Sequence, residues 1–166
     1  MSERTRTYSW HDPLRTVARG AGLSGLDLLH LIAAGELPPP PIAQTLGFGA
    51  IVVEEGQAVF EVEPAEFHYN PIGVVHGGLA LALLDSAMGC AVHTTLPAGV
   101  TYTTLEVKAN FVRPLTATTG LVRCRGSVVH RGRRVATAEG RVEDLSGTLY
   151  AHVTSTLLVM PGAAPA

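Results

Sequence analysis

The sequence predicts a single α+β domain: an antiparallel sheet of about five to six strands wrapped around one long helix, with a short helical N-terminal leader. Three observations predict it. The chain has 166 residues, enough for one compact core. One central segment is apolar on all its sides. The segments after it alternate apolar and polar residues. Because a helix without a polar face needs cover on most of its circumference, a curled sheet around it is the expected solution.

The chain divides into three predicted parts. Residues 1–46 form a leader, 47–160 form the domain, and 161–166 form a tail that we expect to be frayed. A proline run at 38–41 breaks and stiffens the chain before the alternating segments begin. No internal repeat is present.

Two short helices are predicted in the leader. Ser24 followed by Asp27 fits a capping box, and Gly35 fits a helix stop. Residues 26–34 between these signals therefore form the first helix. Pro41 suits the first turn of the second. The first helix carries too little charge for a lipid interface, so a docking role fits it better.

Hydrophobic periodicity sets the order of the elements in the domain. Two strands flank a hairpin turn at Glu55–Gly56. The segment 79–96 is rich in alanine and leucine and long enough for a helix. Four further strands are predicted at 103–112, 120–130, 134–144 and 149–159. Short turns at 131–133 and 144–147 join the last three of them.

The strand at 103–112 has a predicted apolar face, formed by Leu105, Val107, Ala109 and Phe111. A sheet curled around one helix still has free edges and an outer face. We therefore expect subunits to pair.

Composition excludes several classes of protein. Charged residues make up only 16% of the chain against 46% hydrophobic ones, which is low for a lone soluble domain and favours an oligomer. The formal net charge of −2 argues against nucleic acid or an anionic membrane as the partner. The sequence contains no apolar run long enough to span a membrane and no signal peptide. Cys90 and Cys124 lack a metal-binding spacing, so they are expected to be buried hydrophobic residues in a cytoplasmic protein.

Asp85 is the isolated acid of the long apolar helix. Its helical neighbours include no cation; they are Leu81, Ala82, Met88 and Gly89. A carboxylate without a partner on its own helix either meets a group from elsewhere or faces a cleft. Asp85 is therefore a candidate general base or nucleophile. The alternative is a carboxylate that bonds a structural backbone group, since buried polar groups are usually satisfied.

The Gly77–Gly78 pair marks the start of that helix. Glycine lets a backbone approach a ligand closely, so both residues are candidate substrate contacts. The free N–H groups of a helix N-terminus suit an oxygen that becomes negative, as in attack on a carbonyl or thioester. His76 and Asn70 lie just before and can orient the turn or the substrate. Taken singly, a glycine pair is more often only a turn, and such a histidine is more often structural.

A basic cluster is the third feature, formed by Arg123, Arg125, Arg131, Arg133 and Arg134. Guanidinium groups match phosphate oxygens, which predicts a clamp for the nucleotide end of a cofactor-like substrate. The alternative is a solvated hairpin balanced by Glu139 and Glu143.

Three stretches, at 70–92, 103–114 and 130–156, resemble the hotdog-fold acyl-CoA thioesterases of the phenylacetate-degradation (PaaI-like) type. They carry a His-Gly-Gly followed by an acid, a Thr-x-Glu strand ending in Arg-Pro, and a Gly-Arg turn. The resemblance, also to the wider 4-hydroxybenzoyl-CoA thioesterase superfamily, implies a hydrolase acting on acyl-CoA. It implies a homodimer, joined sheet edge to sheet edge with the site at the interface, and dimers that pair into homotetramers. It implies no cofactor or metal, since CoA is part of the substrate.

The same resemblance implies roles for single residues. Asp85 matches the catalytic acid, and the backbone N–H of Gly77 matches the group that polarises the thioester carbonyl. Asn70 and His76 match positions that orient thioester or water. Thr104 matches a water-positioning hydroxyl from the neighbouring subunit, although many relatives have serine there. Aspartate in place of the glutamate of some relatives leaves the choice between base and nucleophile open.

Contacts with CoA are implied for a hairpin turn and one strand. The turn comprises His130, Arg131, Gly132, Arg133, Arg134 and Val135. Glu106 and Phe111 match positions near the pantetheine arm.

Two other functions remain open from the sequence. A hydratase or dehydratase on this fold brings a histidine and an acid together at the acyl β-carbon, whereas His76 lies in a loop. A non-catalytic acyl-CoA-binding module is the second, because fold does not fix function.

Overall fold

The structure, a computed structural model, describes residues 2–161, so most of the tail predicted to be frayed lies outside the described residues. This range contains four helices: α1 (Pro13–Gly20), α2 (Gly25–Ala33), α3 (Pro41–Leu46) and α4 (Gly77–His93). The six strands are β1 (Phe48–Glu54), β2 (Gln57–Val62), β3 (Val100–Phe111), β4 (Val122–Arg131), β5 (Val135–Asp144) and β6 (Leu149–Pro161). A single turn of 3₁₀ helix (Glu66–His68) precedes α4. No helix in the described range is long and apolar enough to cross a membrane.

The strands form one sheet in the order β1-β2-β4-β5-β6-β3, and every neighbouring pair is antiparallel. The long helix α4 packs against this curled sheet, so the predicted fold class is confirmed. The turn at Glu55–Gly56 joins β1 to β2 as predicted, with Gly56 at a φ of 77°. β3 forms one edge of the sheet within residues 2–161.

Small residues let α4 lie close to the sheet. A Cβ on Gly126 of β4 would lie 2.5 Å from the carbonyl oxygen of Ala87, and one on Gly140 of β5 would lie 2.8 Å from a methyl group of Leu84. Nine residues of the helix are buried: Leu79, Ala80, Leu83, Leu84, Ala87, Met88, Gly89, Ala91 and Val92. The all-round apolar character of the helix is explained by this close packing.

The leader helices pack beside the domain. As predicted, Ser24 caps α2 by accepting a hydrogen bond of 3.1 Å from the Asp27 N–H, and α3 begins at Pro41. The first helix, α1, was not among the sequence predictions. Its signals are present, because Asp12 accepts from the Leu14 N–H at 3.0 Å and a proline occupies the first turn.

A β-bulge divides β3 into two halves. The pairing with β6 shifts between Thr104 and Glu106, so that Leu105 has no partner there. The prediction that Leu105 shares one face of the strand with Val107 is therefore wrong: Leu105 is 56% exposed. The extra residue reverses the alternation, so Tyr102 and Val107 both pack on the core.

Candidate active site

Asp85 meets its partner across the space between α4 and β3. The Thr104 Oγ1 donates a hydrogen bond of 2.8 Å to Asp85 Oδ1. Both residues are partly buried and belong to the same chain. The role that the resemblance implies for Thr104 at the site of a neighbouring subunit stays a prediction. The bulge at Leu105 explains the contact, because the extra residue lets both Thr104 and Val107 point towards α4.

A cavity of about 400 Å³ opens beside this pair. Asp85 is the one carboxyl group among the side chains of the described chain that line it. The α4 residues Ser86, Cys90 and His93 share its wall. The Ser86 Oγ donates to the Ala82 carbonyl at 2.8 Å, so this hydroxyl is satisfied within its own helix. Asp85 thus stands at a cleft and not in a sealed core.

Burial keeps the other titratable groups of this cavity neutral near pH 7. It raises the pKa of the Cys90 thiol to about 12, with a further contribution from the Asp85 charge. Burial also lowers the pKa of His93 and raises that of the Tyr102 phenol. His93 and Tyr102 pack ring to ring with centroids 5.5 Å apart. Within the described part of the chain, Asp85 therefore has no cationic neighbour in the cavity.

Gly89 explains how Tyr102 fits beside the helix. A Cβ at Gly89 would lie 2.6 Å from the Tyr102 hydroxyl oxygen. Because Gly89, one turn after Asp85, has no side chain, the space beside it is open. The tyrosine ring on β3 occupies that space instead. Tyr102 and His93 were not among the residues predicted from the sequence, because the glycine alone pointed to them.

The start of α4 presents backbone N–H groups as hydrogen-bond donors. His76 is the N-cap residue, and its Nδ1 accepts a hydrogen bond of 2.8 Å from the Gly78 N–H. The Leu79 N–H donates to the His76 carbonyl at 2.9 Å. Within residues 2–161, no hydrogen bond uses the Gly77 N–H. It is left free for a ligand at the positive end of the helix dipole.

Asn70 shapes the loop before this helix. Its Oδ1 accepts from the Ile72 N–H at 3.0 Å and from the Val74 N–H at 3.3 Å. Its backbone N–H donates to the Val74 carbonyl at 2.8 Å. The side-chain oxygen is thus committed to the turn, whereas the amide NH₂ can still donate to a ligand.

The structure does not bring Gly77 and Asp85 together within one chain. Gly77 borders a second cavity of about 330 Å³, shared with Phe111 and Arg113. It lies eight positions before Asp85 on the helix, which corresponds to about 12 Å along the axis. Phe111 lies against Gly77, where a Cβ would be 3.2 Å from the ring.

The arginine cluster separates into two groups. Arg123 pairs with Glu61 of β2 at 2.7 Å, and Arg125 lies opposite Arg141 on β5. The other three line a cleft of about 650 Å³ at the β4–β5 turn: Arg131, Arg133 and Arg134. Glu139 and Glu143 do not neutralise the charge of these three arginines. Glu139 lies near His152, and Glu143 lies near Arg141.

The remaining predicted CoA contacts lie around that turn and on β3. The Gly132 N–H donates to the Val135 carbonyl at 2.9 Å, which closes the turn, and His130 is exposed at its base. Glu106 Oε1 accepts from the Thr156 hydroxyl at 2.9 Å. Its carboxylate is therefore held along β6 and borders neither the Asp85 cavity nor the Gly77 cavity.

Comparison with known proteins agrees with this architecture. Residues 72–151 match the family model described as the thioesterase superfamily (4HBT). A phenylacetic acid degradation-related protein from Ralstonia eutropha is 32% identical; the match covers 78% of this chain and 98% of that one, with a TM-score of 0.71. A mutant of the phenylacetic acid degradation protein PaaI from Thermus thermophilus is also 32% identical, over 72% and 98% of the two chains, with a TM-score of 0.65. A 1,4-dihydroxy-2-naphthoyl-CoA hydrolase from Listeria monocytogenes is 26% identical over 71% of this chain and 94% of its own length.

The sheet wrapped around α4 defines a hotdog-fold domain. The chain belongs to the thioesterase superfamily, as the resemblance implied. Membership supports hydrolysis of thioesters at the level of the family.

Proposed function

We propose that this protein hydrolyses acyl-CoA thioesters to the free acid and CoA, with Asp85 as the catalytic acid. The observation that carries the proposal is the hydrogen bond between Thr104 and Asp85 at the mouth of an apolar cavity. A carboxylate placed in a cleft without a cation is available for chemistry, because no ion pair competes for it.

The geometry of the pair suits activation of water. Asp85 Oδ1 accepts from Thr104, and within the described residues no bond engages Oδ2. Oδ2 takes a proton from water as the water oxygen attacks the thioester carbon. Collapse of the tetrahedral intermediate breaks the C–S bond, and the thiolate of CoA receives the proton. In the alternative, Oδ2 itself attacks and water hydrolyses the resulting anhydride.

A homodimer supplies the oxyanion contact in this proposal. Gly77 and Asp85 of one chain face different cavities, so a complete site needs the donor from a second copy. β3 is an edge strand, and two such strands can pair antiparallel about a point near their middle. If that point lies between Val107 and Lys108, the partner subunit's Phe111 pairs with Thr104. Since Phe111 packs on Gly77, the partner subunit's Gly77 N–H then approaches the thioester held at Asp85.

The cleft of three arginines serves the nucleotide end of CoA in this proposal. The Arg131 Nε is buried without a hydrogen-bond partner in the described chain, which is costly unless a ligand supplies an acceptor. Arg133 and Arg134 are exposed and can reach phosphate oxygens.

Release of free thiol from acyl-CoA esters tests the proposal. We expect the purified protein to release CoA from a panel of short, long and aromatic acyl-CoA esters, and to leave crotonyl-CoA unhydrated at its double bond. Hydration without thiol release would establish the hydratase instead, and binding without either reaction would establish the binding module. Cys90, with its raised pKa, adds little background to a thiol reagent, and a blank without substrate measures what it adds.

A further inference from the structure

The leader supplies one side of the cavity at Asp85. Helix α1, helix α2 and the proline run all border it, although none belongs to the sheet or to α4. The family model begins at residue 72, so the match to the superfamily does not include this wall. The leader side of the cavity is therefore a feature of this chain beyond the matched region.

Helix α2 is fixed to the domain at both ends. The Gly25 N–H donates to the Leu96 carbonyl at 3.0 Å, and His30 Nε2 lies 2.9 Å from the Val53 carbonyl. A Cβ on Gly25 would lie 1.9 Å from the His93 carbonyl oxygen, so only glycine allows this approach. These contacts hold α2 as a rigid wall beside α4 and β1.

Three aliphatic side chains of α2 face the cavity: Leu28, Leu29 and Ile32. All three are partly buried. Pro39, Pro40 and Phe48 continue the same apolar surface. A cavity of about 400 Å³ with such a lining suits a small organic group, since ligand sites measure roughly 300–1,000 Å³.

Helix α1 completes the rim. Gly20 packs against Leu28 of α2, where an added Cβ would lie 2.6 Å from a leucine methyl group. Val17 borders the cavity and is nevertheless 67% exposed. An apolar side chain at an open rim gains contact area when an apolar ligand fills the space beside it.

Among the described residues, no side chain that lines the cavity would pair with a charged acyl group. Its one carboxyl group is Asp85, and His93 is kept neutral by burial. A second carboxylate on the ligand, as in succinyl-CoA, would be buried beside Asp85 without a counter-ion.

We propose that the leader forms the acyl-binding wall and selects neutral, apolar acyl groups long enough to reach α2. The inference rests on the proposed function, because it names the substrate class of the same site. An aliphatic chain and an aromatic ring share this chemistry, and separate arms of the experiment distinguish them.

The experiment compares Ile32→Trp with Ala33→Trp. Ile32 lines the cavity, whereas its neighbour Ala33 is exposed on α2 and does not. For each variant, kcat/KM is measured with acetyl-, octanoyl-, phenylacetyl- and succinyl-CoA. The wild type should prefer octanoyl- or phenylacetyl-CoA to succinyl-CoA. Ile32→Trp should reduce kcat/KM for the preferred ester about 10-fold more than for acetyl-CoA, whereas Ala33→Trp keeps the wild-type profile.

The possible failures are distinguishable. A wild type that releases no thiol from any ester contradicts the proposed function. An active wild type whose acyl preference is the same in Ile32→Trp contradicts only the role of the leader, and so does a preference for succinyl-CoA. If Ile32→Trp does not fold, Ile32→Ala enlarges the cavity and should shift the preference towards longer chains. An unchanged preference in Ile32→Ala would overturn the inference.

Discussion

Thr104 Oγ1 and Asp85 Oδ1 lie 2.8 Å apart and join the edge strand β3 to the central helix α4. The bond exists because the bulge after Thr104 turns its side chain towards the helix. It fixes one oxygen of the carboxylate and leaves the other free to act. The edge strand thus orients the catalytic group of the proposed reaction.

The first prediction concerns this hydroxyl. Thr104→Val keeps the shape of the side chain and removes the donor, so we expect kcat to fall about 10-fold, in line with the loss of a hydrogen bond to a charged group. Thr104→Ser keeps the hydroxyl and should retain most of the activity. Steady-state kinetics with one acyl-CoA measure both. Equal activity of the valine and serine variants would show that the bond has no part in turnover.

The second prediction concerns recognition of CoA. Arg133→Ala removes a guanidinium from the turn cleft and should raise KM for CoA esters several-fold, with little change in kcat. Acyl-pantetheine thioesters lack the nucleotide, so the Arg133→Ala variant should hydrolyse them as fast as the wild type does. Arg141→Ala is the matched control, because Arg141 is an exposed arginine of β5 that does not line the cleft. The same loss with acyl-pantetheine would argue against a phosphate contact.

The third prediction concerns stability and pH. Burial lowers the pKa of His68 and of His93 below 6.5 in the folded protein. Below about pH 6.5 the unfolded chain therefore binds more protons than the folded one, so stability rises with pH up to that value and is lost as pH falls. Urea unfolding at fixed protein concentration between pH 5 and 8 measures the slope.

Two variants test whether a buried histidine causes this dependence of stability on pH. His93→Gln should flatten it, whereas His11→Gln changes an exposed histidine and should not. An unchanged slope in His93→Gln would mean that its burial makes no contribution to the pH dependence.

The fourth prediction concerns the packing of α4 on the sheet. A Cβ on Gly126 would meet the backbone of Ala87, which cannot move aside as a flexible side chain can. We expect Gly126→Ala to lower the free energy of unfolding by about 3 kcal/mol, the upper end of the cost of overpacking. Gly49→Ala, on β1 with open space around it, should change it by no more than about 0.5 kcal/mol. Thermal or urea unfolding compares the two, and equal effects would contradict the close approach.

Local patterns predicted much of the fold. The cap at Ser24, the proline at position 41 and the turn at Glu55–Gly56 all lie where the sequence placed them. These features depend on a few neighbouring residues, which is why a single sequence reveals them. Helix α1 was missed although Asp12 caps it, because its short sequence has few apolar residues.

Features that depend on contacts between distant residues could not be predicted from the sequence. A bulge has no local signature in β3, so the exposure of Leu105 and the contact of Thr104 with Asp85 in one chain could not be foreseen. The resemblance correctly indicated the family and the fold. The leader wall likewise depends on how α2 docks, which is fixed by Gly25 and His30.

The most direct measurement is thiol release by Asp85→Asn. Asparagine preserves the volume and can keep the contact with Thr104, but it can neither accept the proton of water nor form an anhydride. We predict a folded protein, judged by circular dichroism, whose kcat is lower by about 100-fold or more. Glu139→Gln, an exposed carboxylate on β5, should match the wild type. A folded Asp85→Asn protein with wild-type turnover would contradict the assignment of Asp85 as the catalytic acid.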